Sequence, residues 1–173
     1  TLNDDVRVVL IKLADRLHNC RTIEFMPEHK RDKILSETMF VFIPLAHRLG
    51  LYGIKSAMED IWLRYKEPEA FNEITAKINR NVIDKDKEIN DFIAPIEASL
   101  RKAGFRFEIK KRVKTPYSIW NKMIKKRIDF DQIYDLYAVR IIFDPDESTK
   151  ETERDQCYHI FSIITAIYRY KSD

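Results

Sequence analysis

The spacing of apolar residues predicts helices over about the first 100 residues of the chain. Apolar side chains recur every three or four positions from Val6 to Leu17, as on one face of an amphipathic helix. The same period returns in three further stretches, at residues 34–50, 54–67 and 71–104. Pro44 predicts a kink in the first of these, and Gly50 and Gly104 are suited to helix ends.

The pattern changes after Gly104. Apolar and charged residues alternate from Phe105 to Lys110, which predicts a half-buried strand. Thr115 and Pro116 then indicate the N-cap and first position of a helix that runs from Tyr117 to about Arg127.

A second strand is predicted at residues 136–143, which are apolar on both faces except for Arg140, as in a central strand. An acidic polar loop follows at residues 144–155, and the last helix is predicted from Tyr158 to Tyr170. The expected fold class is therefore α+β and mainly helical, with a strand-helix-strand-helix unit after the first helices.

The composition favours a folded protein outside the membrane. The 173 residues are 45% hydrophobic and 34% charged, which argues against disorder. No apolar run approaches the roughly 20 residues that a bilayer requires. Cys20 and Cys157 lack partners at a metal-ligand spacing, which argues against structural zinc and fits a reducing compartment. We therefore expect a cytoplasmic protein with no membrane partner.

The scarcity of glycine restricts how a phosphate could be bound. Average usage predicts about 12 glycines in a chain of this length. This chain has three, and they lie far apart. A glycine-rich phosphate loop is therefore excluded, and any phosphate must be held by side chains.

Positive charge is concentrated in one stretch. Residues 105–127 hold nine basic side chains and one acidic one, a net charge of +8, although the net charge of the whole chain is +3. Ser118, Lys122 and Lys125 would share one face of the predicted helix, within reach of Arg112 and Lys114. Three interpretations remain open: a solvated basic face, an RNA-binding surface, or a site for a nucleotide triphosphate.

Two further polar positions are notable, one just before the second predicted strand and one within it. Asp135 lies where a polar turn meets the strand, so its carboxylate could hold a Mg²⁺ ion that bridges phosphate oxygens, or could simply cap the turn. Arg140 would need a partner if it were buried, and Asp135 or a substrate phosphate could supply one.

The first predicted helix carries a separate polar face. Asp15, Asn19 and Thr22 are spaced to lie together, as one carboxylate followed by groups able to contact a nucleotide. His18 is nearby, but one Asp with one His does not make a metal site.

Four segments resemble the RelA/SpoT family of bifunctional enzymes, which make and degrade the alarmone (p)ppGpp. They read VVLIKLADRLHNCRT at residues 8–22, IPLAHRLG at 43–50, KRVKTPYSIWNKM at 111–123 and FDQIYDLYAVRIIF at 130–143. The resemblance covers nearly the whole chain.

In the family's HD-type hydrolase domain, the resemblance implies that Asp15 is the last ligand of a Mn²⁺ site whose other ligands come from earlier helices. Asn19, Arg21 and Thr22 match positions that line the guanosine-nucleotide pocket. His18 matches a structural position of the family.

In the synthetase domain, Arg112, Lys114, Ser118 and Lys122 match the ATP-phosphate site, and Arg140 matches a basic position in the same site. Asp135 matches the catalytic aspartate that binds Mg²⁺. The implied reaction transfers pyrophosphate from ATP to the 3′-hydroxyl of GTP or GDP. The expected small-molecule partners are therefore ATP, GTP or GDP, and (p)ppGpp. The resemblance also implies that the parent protein associates with ribosomes and does not bind DNA.

The resemblance also predicts a domain division. We expect the C-terminal helix region of an HD-type hydrolase domain at residues 1–30, a connecting helical bundle at 31–85, and the first half of a nucleotidyltransferase-like mixed α/β synthetase domain at 86–173. The chain would then be an internal fragment of a stringent-response enzyme, a GTP pyrophosphokinase with hydrolase activity. We expect the fragment itself to be inactive, and the alternative is a basic RNA-binding or regulatory helical module.

Overall fold

The computed structural model describes residues 6–169, apart from the side chains of residues 6, 83 and 84. It confirms a mainly helical α+β chain. The α-helices are α1 (Val6–Arg21), α2 (Glu28–Glu37), α3 (Ile43–Arg48), α4 (Tyr52–Lys66), α5 (Pro68–Lys102), α6 (Pro116–Lys126) and α7 (Glu153–Ile167). The strands are β1 (Arg106–Val113) and β2 (Tyr137–Asp144).

The chain forms two compact units. The first unit contains residues 1–77 and 114–136, and the second contains residues 78–113 and 137–173. The predicted boundaries at residues 30 and 85 were based on the domains of a protein family and not on contacts within this chain. The division into two units does not test them, so they stay a prediction.

The core of the first unit lies among α1, α3 and α4. Leu13, Ala46 and Met58 are completely buried there, and partly buried apolar residues of the segment between α2 and α3 pack around them. The apolar stripe of α1 predicted from the sequence supplies much of this packing, although Leu10 within that stripe is 42% exposed.

Helix geometry changes before Pro44, the residue at which the sequence predicted a kink. Residues Thr38–Phe42 form a π-helix between α2 and α3. Proline has no backbone N–H, so it cannot donate the usual hydrogen bond to the carbonyl four residues earlier. The wider π turn accommodates this loss.

The second unit packs α7 and the part of α5 after residue 77 against one face of an antiparallel β1–β2 pair. Phe107 lies opposite Phe143, and Ile109 lies opposite Ile141. These half-buried side chains contact a core that contains Ile96 of α5 and other buried residues of α5 and α7. The predicted alternation of β1 is confirmed, with its even-numbered residues exposed.

The prediction that the second strand is buried on both faces is wrong for the residues described. In β2, Ala138, Arg140 and Ile142 are exposed, because the strand has helices only against its odd-numbered face. Arg140 is therefore solvated and does not need a buried partner.

The last helix begins earlier than the sequence pattern predicted. Helix α7 starts at Glu153 and not at Tyr158, because Thr152 and Asp155 form a capping box. The Thr152 side chain accepts from the Asp155 backbone N–H, and the Asp155 side chain accepts from the Thr152 backbone N–H. The predicted end at Tyr170 lies outside the described residues.

Among the described residues, the structure contains no helix that combines the length and the apolar character needed to cross a membrane.

We predict that Gln156→Ala loosens the loop between β2 and α7. The Gln156 side chain is buried, accepts a hydrogen bond from the Asp146 backbone N–H at 2.9 Å, and donates to the Asp146 carbonyl at 3.1 Å. Its removal should lower the free energy of unfolding by about 1–2 kcal/mol, measured by urea denaturation. Ser162→Ala, an exposed change on the same helix, is the control, and equal effects of the two changes would contradict the prediction.

Candidate functional site

The local sequence sets the start of α6. Thr115 is its N-cap and Pro116 its first residue, as predicted. The Thr115 hydroxyl accepts from the Ser118 backbone N–H and donates to the Ser118 hydroxyl at 2.9 Å. Proline is well suited to this first position, because the N–H that it lacks would have no partner within the helix.

Asp135 lies between two lysines. Lys114 Nζ is 2.7 Å from Asp135 Oδ2, and Lys122 Nζ is 2.6 Å from Asp135 Oδ1. A backbone hydrogen bond also joins the segments that carry Lys114 and Asp135, since the Lys114 N–H donates to the Leu136 carbonyl at 2.9 Å. Residues 114, 122 and 135, which the sequence only suggested were close, thus form one cluster, the Lys114–Asp135–Lys122 triad.

The triad is charged and open to solvent. The hydrogen bonds from Lys114 and Lys122 lower the pKa of Asp135 to about 2, against a small opposing effect of burial. The Asp135 side chain is 53% exposed, and each lysine side chain is 25% exposed. The cluster therefore offers an ionised carboxylate and two ammonium groups to a ligand from solution.

The other predicted residues of α6 differ in their surroundings. Ser118 is half-buried in the first turn, bound to the Thr115 side chain. Lys125 is exposed near the end of the helix. The structure thus brings Lys122, and not Lys125, to Asp135.

Arg112 and Arg140 belong to the second unit, on the exposed face of the β1–β2 pair. Arg112 lies opposite Ala138, and Lys110 lies opposite Arg140. We call Lys110, Arg112 and Arg140 the basic sheet face. Like charges that face each other across strands repel, but Glu108 Oε2 on the same face is 3.1 Å from Lys110 Nζ and compensates part of this charge.

The polar face of α1 is partly formed as predicted. Asn19 Nδ2 donates to Asp15 Oδ2 at 3.2 Å, and the Thr22 hydroxyl donates to the His18 carbonyl at 3.0 Å. Arg21 is exposed and lines a polar cavity with residues of α4. The structure therefore places Asp15 and Asn19 together and Arg21 on another side of the helix end.

Neither aspartate belongs to a ready-made metal cluster. Within residues 6–169 as described, no three His, Cys, Asp or Glu side chains are grouped to hold an ion. Asp15 and Asp135 each offer a single carboxylate, so a metal at either one needs further ligands from elsewhere.

Sequence reasoning missed the contact of α6 with Asp60. The backbone N–H of Tyr117 donates to Asp60 Oδ1 of α4 at 2.9 Å. The two residues are 57 positions apart, and a lone aspartate within an amphipathic helix carries no signal of a distant partner. Only the packing of α4 on α6 reveals it.

Comparisons with known proteins match both ends of the chain. Residues 1–52 match the model of the HD domain, and residues 111–173 match that of the region found in RelA / SpoT proteins. The α1 polar face lies in the first matched region, and the triad lies in the second.

Curated relatives cover most of the chain. A GTP pyrophosphokinase of Myxococcus xanthus is 44% identical over 80% of this chain, and one of Photobacterium angustum is 33% identical over 96%. A guanosine-3′,5′-bis(diphosphate) 3′-pyrophosphohydrolase of Aquifex aeolicus is 35% identical over 96%. The matches take up 18%, 21% and 23% of these relatives, so the chain spans about a fifth of their length.

We predict that Lys122→Ala raises the pKa of the Asp135 carboxyl from about 2 towards its ordinary value of 3.8. Because the folded pKa is depressed, the stabilisation from this group is complete above about pH 4 and is lost as the pH falls through 2. A carboxyl carbon NMR titration measures the midpoint.

Lys125→Ala, on the same helix, is the control and should leave the Asp135 midpoint unchanged. An unchanged midpoint in Lys122→Ala would show that the ion pair does not form in solution.

Proposed function

Because this chain belongs to the RelA/SpoT family, we propose that it is part of an enzyme that makes and degrades (p)ppGpp in the cytoplasm. The synthetase reaction would transfer pyrophosphate from ATP to the 3′-hydroxyl of GTP or GDP. The hydrolase reaction would remove that group again. The association of the longer protein with ribosomes stays a prediction.

The observation that carries the synthetase proposal is the Lys114–Asp135–Lys122 triad. It lies within the segment that matches the RelA / SpoT region. Two ammonium groups at one carboxylate form a site of mixed charge, which suits a triphosphate accompanied by a divalent cation. Because the chain has no glycine-rich phosphate loop, side chains must hold any phosphate. Lys114 and Lys122 are suited to this role.

The chemistry assigns a role to each group. The 3′-hydroxyl oxygen of the acceptor forms a bond to the β-phosphorus of ATP, the bond from that phosphorus to the α–β bridging oxygen breaks, and AMP leaves. The hydroxyl proton passes to solvent or to a base. Lys114 and Lys122 would bind and orient the phosphate oxygens and stabilise their negative charge, with Ser118 as a hydrogen-bond donor. Arg112 and Arg140 stay predicted contributors.

A magnesium ion fits the donor at Asp135. Its carboxylate is ionised at neutral pH and provides the hard oxygen ligand that Mg²⁺ prefers, usually together with substrate phosphates and water. A carboxylate has about four lone-pair sites, so Asp135 can keep a lysine contact while it binds an ion. The ion would neutralise phosphate charge.

The hydrolase proposal is carried by the α1 face and by the HD match. Asp15 would supply one ligand for Mn²⁺ in the longer protein, and Asn19, Arg21 and Thr22 would contact the nucleotide. Asp15 alone does not fit a manganese site among the described residues, so we propose that the 173-residue chain does not hydrolyse (p)ppGpp. We also propose that it makes no (p)ppGpp from ATP and GDP, since the residues assigned to the synthetase site contact ATP phosphates and Mg²⁺, and no described residue is assigned to the GDP.

RNA binding remains the alternative, and the basic sheet face favours it. Lys110, Arg112 and Arg140 are exposed, and such a face attracts any polyanion. This alternative assigns no role to Asp135, because a carboxylate repels a phosphate backbone.

We predict that Asp135→Asn in the full-length enzyme lowers (p)ppGpp synthesis by about 100-fold or more and spares hydrolysis, because a metal-binding charge is lost at one site only. Asp15→Asn should do the reverse. Separate assays of product formation and breakdown measure both.

Asp131→Asn, an exposed change four residues before Asp135, is the control for the first variant. Survival of both activities in either of the two test variants would overturn the assignment of the sites.

We predict that the chain binds a non-hydrolysable ATP analogue with Mg²⁺, and that Lys122→Ala weakens this binding about tenfold, whereas Lys125→Ala does not. Titration calorimetry measures the affinity. An RNA-binding module would instead bind single-stranded RNA with an affinity that falls steeply with salt and is unaffected by Asp135→Asn. That result, without binding of the analogue, would favour the alternative.

A further inference from the structure

The first turn of α6 is held by a side chain that neither family match contains. Asp60 belongs to α4, between the matched regions 1–52 and 111–173. We propose that Asp60 is a positioning residue, which fixes the start of α6 and so holds Lys122 at Asp135.

Two side chains, one at the N-cap of α6 and one on α4, accept hydrogen bonds from the backbone N–H groups at the start of α6. The first backbone N–H groups of a helix have no partner within it. Thr115 accepts from the N–H of Ser118, and Asp60 Oδ1 accepts from the N–H of Tyr117 at 2.9 Å. Thr115 moves with α6, whereas Asp60 is anchored in another helix. Of these two hydrogen bonds, the one to Asp60 is therefore the one that ties the end of α6 to α4.

The Asp60 carboxylate is partly buried at the N-terminus of α6. A carboxylate at a helix N-terminus is stabilised by the positive end of the helix dipole. Burial raises the pKa of Asp60 and the neighbouring Glu59 adds to this, while the hydrogen bond from the Tyr117 N–H and the charge of Arg64 act in the opposite direction. The net effect raises the pKa, so the hydrogen bond from Tyr117 offsets only part of the cost of burying this carboxylate.

Aromatic packing alone would not fix the helix in this way. The Trp62 ring of α4 meets the rings of Tyr117 and Trp120 at centroid distances of 6.1 and 6.0 Å. Ring contacts of this kind keep two helices together but tolerate small sliding and rotation. A directional hydrogen bond at the helix end removes that freedom.

A shift at Tyr117 would be carried to Lys122. The two residues are five positions apart on one helix, which is about 7.5 Å along the axis. Helix α6 is continuous over this stretch, so its end and the lysine move as one body. The 2.6 Å contact from Lys122 Nζ to Asp135 Oδ1 depends on that placement.

The test compares three variants of the 173-residue chain. Asp60→Ala removes the acceptor, and Asp60→Asn keeps an acceptor oxygen without the charge. Asp32→Ala is the matched control, because Asp32 also binds α4, through Lys66 at 2.6 Å. The readouts are hydrogen exchange of the Tyr117 amide and the rate at which a limiting acylating reagent modifies Lys122.

Lys125 on the same helix is the internal reference for acylation. We expect Asp60→Ala to speed Tyr117 exchange and Lys122 acylation about tenfold while Lys125 stays unchanged. Asp60→Asn should restore most of both, and Asp32→Ala should change neither. Unchanged Lys122 acylation in folded Asp60→Ala, or an equal rise at Lys125, would overturn the proposal. If Asp60→Ala does not fold, Asp60→Glu, which displaces the carboxylate by one methylene, replaces it under the same criteria.

The consequence for nucleotide binding rests on the proposed function. In the full-length enzyme, Asp60→Ala should raise the KM for ATP about tenfold with a smaller effect on kcat, and Asp60→Asn should rescue it. Faster Lys122 acylation with an unchanged KM would support the positioning role and contradict the proposed role of Lys122 in ATP binding. The two proposals therefore fail separately.

Discussion

The candidate synthetase site depends on one carboxylate shared by two ammonium groups. Asp135 follows a polar turn, Lys114 follows β1, and Lys122 projects from α6, so the ion pairs join three segments that are up to 21 residues apart. Because the triad is open to solvent, its value for stability is small. Its importance lies in placement, because it holds two flexible lysine side chains close together. Less side-chain conformational entropy is then lost when a phosphate ligand binds.

Local sequence signals predicted much of this arrangement. Thr115 and Pro116 mark the start of α6 because capping depends on neighbouring residues alone. Asp135 and Lys122 could be named as candidates because residue type and position restrict what they can do. The bond from Tyr117 to Asp60 could not be predicted, since it depends on how α4 and α6 pack. The same limit applies to β2, where an apolar sequence did not reveal which face the helices cover.

The two candidate sites differ in how far the described residues complete them. The triad contains both the cations for phosphate and a carboxylate for a metal. On α1, Asp15 and Asn19 are joined by one hydrogen bond, and the described residues add no further cluster of ligands. A hydrolytic metal site requires three or four protein ligands, whereas a Mg²⁺ ion that binds with a triphosphate draws many of its ligands from substrate and water. The number of protein ligands that each metal needs thus decides whether one short stretch of the chain can supply them.

The basic stretch illustrates how a strand divides its charge. Lys111 lies between Lys110 and Arg112 in sequence but points to the other face of the sheet, where its Nζ binds Asp86 at 3.0 Å and Asn90 at 2.6 Å on α5. Its charge is therefore compensated inside the unit. A polyanion bound to the sheet face would release fewer of its own condensed counterions than the nine basic residues imply, and the salt dependence of its binding would report that smaller number.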